Sequence, residues 1–167
     1  MIGAMTRLPD WQLWLAGEGD IMAALKRITN ELGLEDRVKF LGWVSPEQLP
    51  PLMAKAKLSI NLRDAGSLND YYSLPNKFFD ALHAGLPSIH MNYPEYKAIC
   101  AVYPCAILLE TLSENAIVGA ITSLDDHPEK LDEMAKACES ASRELNWEKE
   151  SEHLLELYRA LSKELPL

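Results

Sequence analysis

Tyr71-Tyr72-Ser73-Leu74-Pro75-Asn76-Lys77-Phe78-Phe79-Asp80-Ala81-Leu82-His83-Ala84-Gly85-Leu86-Pro87 is the stretch on which the fold reading turns. Pro75 sits where a helix can begin, because a proline at the first helical position gives up only an N–H that was unpaired anyway. Gly85 supplies a left-handed stop, and Pro87 blocks continuation. The spacing therefore predicts one short helix with two chemically different sides. At 3.6 residues per turn Phe78, Ala81 and Leu82 fall together, toward a core. Asn76, Asp80 and His83 fall on the other side, with Lys77 at its margin and Ser73 just ahead. Two readings are open here. An amide, a lysine and a carboxylate around a helix start suit a phosphorylated ligand. Lys77 and Asp80 equally suit an ordinary surface i,i+3 pair.

Outward from this helix, apolar runs alternate with amphipathic segments. Before it, Trp11 to Ala16 reads as a strand of the kind buried on both faces in a parallel sheet. It ends at Gly17-Glu18-Gly19-Asp20, where Asp20 can cap a helix carrying Ile21, Leu25, Ile28 and Leu32. Arg37 to Leu41 is a second strand. Ser45-Pro46-Glu47-Gln48 reads as a capping box, with Pro50 and Pro51 too close behind for one uninterrupted helix; a turn and then a helix through Leu52, Met53 and Ala56 are expected. Leu58 to Leu62 is a third strand, followed by the polar loop 63–70. After the central helix come a fourth strand (Ser88 to Met91), a helix from Pro94 and a fifth strand (Ala106 to Glu110). Helices opening at Ser113, Pro128 and Asn146 complete the chain. The last carries Trp147, Leu154, Tyr158 and Leu161 on one stripe, expected to pack against the core. Met1 to Met5 reads as the last turns of a helix. The pattern predicts an α/β fold: a Rossmann-like parallel sheet of about five strands, helices on both faces and a helical C-terminal tail.

Composition narrows the function. The chain has 167 residues, 48% hydrophobic and 25% charged, which suits one domain over 1–167. Its formal net charge of −9 argues against a nucleic-acid partner, whose phosphates demand cationic contacts. One bound nucleotide is still allowed, since a helix start supplies enough local donors. No apolar run approaches the roughly 20 residues needed to span a bilayer. Three cysteines, Cys100, Cys105 and Cys138, lack metal-ligand spacing and point to reduced thiols in a cytoplasmic protein. His83, His90, His127 and His153 are scattered, so no metal site is predicted. His83 and His90 are each expected to be satisfied by neighbouring backbone.

Four segments, in order, resemble the C-terminal, donor-binding half of retaining GT-B glycosyltransferases of group 1 (glycosyltransferase family 4). They are Leu15-Ala16-Gly17-Glu18-Gly19, Asp36 to Val44, Phe79 to Pro87, and Asn146-Trp147-Glu148 with Leu157-Tyr158. The resemblance implies transfer of a sugar from a nucleotide diphosphate donor, in bacterial polysaccharide or glycolipid synthesis. It implies that Trp43 and Val44 meet the base and that Asp80, where the family has glutamate, holds the ribose. Gly17, Gly19, Ser73, Leu74, Asn76 and Lys77 would meet the diphosphate and sugar. Tyr72 stands where the family places a sugar-gripping glutamate, a departure that leaves the sugar open. Pro75 has no amide to donate, so Asn76 and Lys77 carry more of the contact. No metal or other cofactor is implied, the nucleotide sugar being a substrate.

The resemblance also implies that an N-terminal acceptor domain is missing, with the opening strand and helix of this one. The chain would then be a fragment of a two-domain enzyme, inactive alone and bound peripherally to a membrane through the absent part. With the family's central strand removed, the strand order is expected to be 2-1-3-4-5, unless another copy fills the gap. Two alternatives stand beside this. The first is a flavodoxin-like or receiver-like module; a phospho-receiver would need a lysine at the fifth strand, which Tyr103-Pro104-Cys105 and Glu110-Thr111-Leu112 do not supply. A non-catalytic interaction or nucleotide-binding module would keep the fold and lose the chemistry.

Overall fold

Two parallel sheets, each fed by alternating helices, carry the chain in the computed structural model, which describes residues 1–164. The first sheet pairs β1 (Leu13–Ala16) with β2 (Val38–Gly42), Leu15 facing Phe40. The second has the order β3-β4-β5, from Ser59–Ile60, Ser88–Met91 and Ala106–Leu109. Ile89 faces Ile60 on one side and Ile107 on the other. β4 is buried at all four residues, as a central parallel strand must be. One apolar core runs beneath both sheets: Leu13, Leu15, Leu58 and Ile60 pack against the same buried set as Phe78, Ile89 and Ile117.

The expected order 2-1-3-4-5 does not form, because β1 and β3 do not pair. The backbone shows why each keeps a free edge. Leu13 and Gly17 donate to Arg37 and Gly42 of the β2 side; Ser59 and Asn61 donate to Pro87 and Ile89 of the β4 side. Strand residues alternate in direction, so Trp14, Ala16 and Ile60 aim their backbone groups at the opposite, unpaired edges. Beside β1 lies a groove of about 560 Å³, walled by Leu15, Leu25, Ile28 and Leu32 with Ile2 at one end. β1 is not buried on both faces: on the side opposite Leu15, Trp14 is 39% exposed.

Local chemistry adjusts several element ends. Helix α1 (Met22–Glu31) is entered through Ile21 with no side-chain cap, so Asp20 does not cap it. Pro50 and Pro51 lie inside α2 (Leu49–Met53). They are tolerated there because amides of a first helical turn have no intrahelical partner to lose. The Ser45 amide donates to Gln48 Oε1 at 3.3 Å, one half of the expected capping box. The polar loop contains a short helix α3 (Leu68–Tyr72), capped by the Ser67 hydroxyl.

The central helix α4 spans Asn76–His83, with Pro75 as N-cap rather than first helical residue. Phe78, Ala81 and Leu82 are buried as predicted. At its end the Leu86 amide reaches Ala81 O and the Gly85 amide reaches Leu82 O, with Gly85 at φ +65°; this is the double-bonded left-handed stop that glycine favours. Helix α5 covers Pro94–Val102 and α6 covers Glu114–Asp126, capped by Ser113. Helix α7 spans Pro128–Ser142, and its following turn accepts the His83 Nε2 hydrogen bond at Leu145 O, 2.8 Å away. Helix α8 (Trp147–Glu164) is capped by Asn146 Oδ1, which accepts the Lys149 amide at 3.0 Å. Its stripe does not pack on the core: Trp147, Leu154, Tyr158 and Leu161 are all exposed. Met1 to Met5 falls mostly in a 3₁₀ turn, Gly3–Arg7, held by Arg37 Nη1 donating to Met5 O and Leu8 O.

Candidate functional site

Every residue expected to meet a ligand follows the carboxyl end of a strand. Gly17 and Gly19 follow β1, Trp43 and Val44 follow β2, and Tyr72 to Lys77 lie beyond β3, entering α4. Parallel α/β sheets place ligands there because helix N-termini and loops, not strand bodies, offer unpaired donors. At α4 the amides of Asn76 and Lys77 lie outside the intrahelical ladder, the first internal bond being Phe78 N to Pro75 O at 3.0 Å. Both residues are exposed, and so is Asp80 one turn on. Asp80 makes no side-chain hydrogen bond or ion pair among the described residues, and the i,i+3 pair with Lys77 does not form. The core side anchors the helix: the Phe78 ring lies 5.5 Å from Phe79, 5.2 Å from His90 and 5.4 Å from Tyr96, all edge-on.

The residues that follow β3 and β4, and the turn between α3 and α4, carry unspent polarity. Asn61 Nδ2, Ser73 Oγ and Asn92 Oδ1 are buried and have no protein partner among the described residues. Buried polar atoms are ordinarily satisfied, so such atoms at strand ends mark where a ligand or water completes the network. Tyr72 is exposed and meets Tyr71 edge-on at 4.9 Å, while Tyr71 lies 5.1 Å from Tyr93. Ser73 and Leu74 are half-buried.

The second group lies at the ends of β1 and β2. Gly17 has φ +131°, and Gly42 turns back toward Glu18. A cavity of about 630 Å³ is lined there by Glu18, Gly19, Lys26, Phe40 and Gly42. Trp43 is 68% exposed beside it and Val44 is half-buried. No hydrogen bond or ion pair among the described residues joins this group to the α4 group.

Sequence reasoning missed three features. Lys26 Nζ stands 5.8 Å from the Phe40 ring centre, on the wall of that cavity; no local spacing relates the two. Arg63 pairs with Asp70, which also accepts from the Ser67 hydroxyl at 2.8 Å, while Tyr93 Oη donates to Arg63 O at 2.7 Å. The Ser67-x-x-Asp70 cap pattern was a usable signal for that clasp. His90 is fully buried, its Nε2 2.9 Å from Ser88 Oγ and its ring stacked on Tyr96 at 4.4 Å. Nε2 is thus met by a side chain, and Nδ1 is buried without a partner among the described residues. Burial holds its pKa down, to about 4.

The family model of the group 1 glycosyl transferases matches residues 2–127. The chain belongs to that family. Among curated relatives, 129 residues are 28% identical to the lipopolysaccharide core biosynthesis glycosyltransferase LpsD of Rhizobium meliloti, covering 77% of this chain and 35% of that protein. Two solved structures share the fold. Sucrose-phosphate synthase from Thermosynechococcus elongatus superposes with TM-score 0.81 at 22% identity, over 98% of this chain and 42% of its own. Anabaena HepE in complex with UDP and glucose superposes with TM-score 0.81 at 20% identity, over 95% and 43%. This group 1 chain thus spans about a third to two fifths of the length of the proteins it matches. The GT-B half-fold expected from the four segments is the one observed, and neither alternative module is favoured. No helix among the described residues is long and apolar enough to cross a membrane.

Proposed function

We propose that this chain is the donor-binding half of a retaining glycosyltransferase that takes a nucleotide diphosphate sugar, in the assembly of a bacterial polysaccharide or glycolipid. The observation that carries the reading is the start of α4: two unpaired amides, an exposed lysine and an exposed, unpaired Asp80 one turn on, with the unpartnered buried Ser73 hydroxyl in the turn just before it. In this reading the Asn76 and Lys77 amides and the Lys77 ammonium take the diphosphate. Negative charge grows on that diphosphate as the sugar departs, and fixed donors at a helix start stabilise it most where it grows most. Asp80 accepts from the ribose hydroxyls, and Trp43 with Val44 borders the base. Gly17 and Gly19 keep side chains out of the approach. Tyr72 faces the sugar and would select it by stacking rather than by a carboxylate. The reading assigns charge stabilisation to these groups and includes no resident metal or cofactor.

We also read the chain as one part of a two-part enzyme, with the acceptor held by a separate N-terminal domain. Coverage of 35% to 43% of its relatives supports this. So do the unpaired β1 and β3, which do not join the two sheets, and the groove lined by Leu15 of β1 with Leu25, Ile28 and Leu32 of α1. A cytoplasmic location with peripheral membrane contact through that other domain belongs to the same proposal.

Thermal unfolding with UDP, GDP, ADP and their sugar conjugates tests the donor site. A ligand at one hundred times its Kd adds about 2.7 kcal/mol, or roughly 5–10 °C in a domain of this size. A dose-dependent rise with at least one diphosphate, reduced by Asp80→Ala, is expected. No rise at millimolar concentrations of any of them would overturn the donor site and leave the fold untouched.

A further inference from the structure

Three thiols that are scattered in sequence meet behind the sheet. Cys105 stands at the entrance to β5, Cys138 on α7 and Cys100 on α5. Cys105 and Cys138 are each 1% exposed, and Cys100 is half-buried. Cys138 Sγ lies 3.8 Å from Cys105 O. That carbonyl also accepts the Ser88 amide at 3.4 Å, and the Cys105 amide donates to Tyr103 O at 2.7 Å. The Cys105 backbone is therefore pinned with the Cys138 sulfur against it. The neighbouring Cys100 and Cys138 thiols hold the Cys105 thiol well below the ordinary cysteine range. The Cys105 thiol, and then burial, push the other two up. His90 nearby is neutral near pH 7, so the neighbouring thiols are what favour charge on Cys105.

We infer that Cys105 and Cys138 are a thiol pair that closes reversibly to a disulfide under peroxide, latching β5 to α7. Cys138 Sγ, 3.8 Å from the Cys105 carbonyl oxygen, sets the two side chains next to each other at the junction of β5 and α7. The Cys105 thiolate attacks hydrogen peroxide: an S–O bond forms, the O–O bond breaks, and hydroxide leaves and takes up a proton. The Cys138 sulfur then attacks the Cys105 sulfenic acid; an S–S bond forms, the S–O bond breaks, and water leaves with the thiol proton. Two thiols are oxidised and one peroxide is reduced to two waters. Cys100 is the most exposed of the three. A dithiol reductant reverses the bridge by two exchanges.

Peroxide treatment of the folded chain, alkylation after denaturation and non-reducing tryptic mass spectrometry test this. Cys105 falls in peptide 98–130 and Cys138 in peptide 137–143. The two peptides should appear joined and two hydrogens lighter than their sum, in wild type and in Cys100→Ser, and separately in Cys138→Ser. Since Cys138→Ser sits in the core, the wild-type midpoint is measured as well. A bridge closing so long a loop should raise it by about 5–10 °C, reversed by dithiothreitol. Three fully alkylated thiols, a Cys100–Cys105 bridge in place of the joined peptides, or only sulfinic and sulfonic acid at Cys105 would each overturn the proposal.

Discussion

Asn76→Pro separates the helix start's chemistry from its structure. Asn76 is the first residue of α4, follows Pro75 at φ −74° and ψ 153°, and gives no amide to the helix. A residue before proline favours that extended region, and proline at the first helical position costs little. Stability should therefore stay within about 0.5 kcal/mol of wild type, the usual range for benign surface changes. The amide, however, is gone. A hydrogen bond to a charged group is worth about 1.5–3 kcal/mol, and each 1.4 kcal/mol is tenfold, so diphosphate affinity should fall by about 10- to 150-fold. Asn76→Ala keeps the amide and corrects for the lost side chain. The assay is calorimetric titration of both variants with whichever nucleoside diphosphate stabilises wild type most. Equal affinities for Asn76→Pro and Asn76→Ala would refute amide recognition by this helix.

Three further outcomes follow from packing and burial. Phe78→Ala should cost about 3–5 kcal/mol in urea unfolding, because the ring is 1% exposed and held by three aromatic neighbours. Gly85→Ala should cost about 1 kcal/mol through its φ of +65° alone, since a Cβ there meets nothing within 4 Å. His90 is held at about 4, below the 6.5 of an unfolded histidine. The unfolded chain then binds a proton that the native one refuses, so stability falls as pH drops from about 6.5 to about 4. Up to about 3 kcal/mol is lost across that window. Urea midpoints of wild type and His90→Gln at pH 7 and pH 5 should show a steeper fall for wild type; parallel falls would count against the buried neutral imidazole.

What the sequence made legible was local. Pro75, Gly85 and the Phe78-Ala81-Leu82 spacing are short-range rules, and α4 formed within one residue of its expected start. The Ser113 and Asn146 caps held for the same reason. Neighbour relations were not legible. The apolar runs at β1 and β3 announce strands, but nothing in their composition says that their inner edges stay apart. Periodicity marked Ile28, Leu32 and Tyr158 as one-sided, yet those sides are exposed, because amphipathicity names a face and not its cover. Pro50 and Pro51 were misplaced because the rule against interior prolines relaxes in a first turn. The Lys26–Phe40 contact and the three-thiol cluster each join residues from separate elements, which only the fold brings together. At the site itself, Asp80 is exposed and unpaired among the described residues, and the two residue groups at the two sheets' ends share no direct bond.

The most direct test of the account is a crystal structure of this chain soaked with the nucleoside diphosphate that stabilises it. The diphosphate should lie on the Asn76 and Lys77 amides and the ribose hydroxyls on Asp80. A nucleotide seated elsewhere, or one at α4 with Asp80 turned away from its ribose, would contradict it.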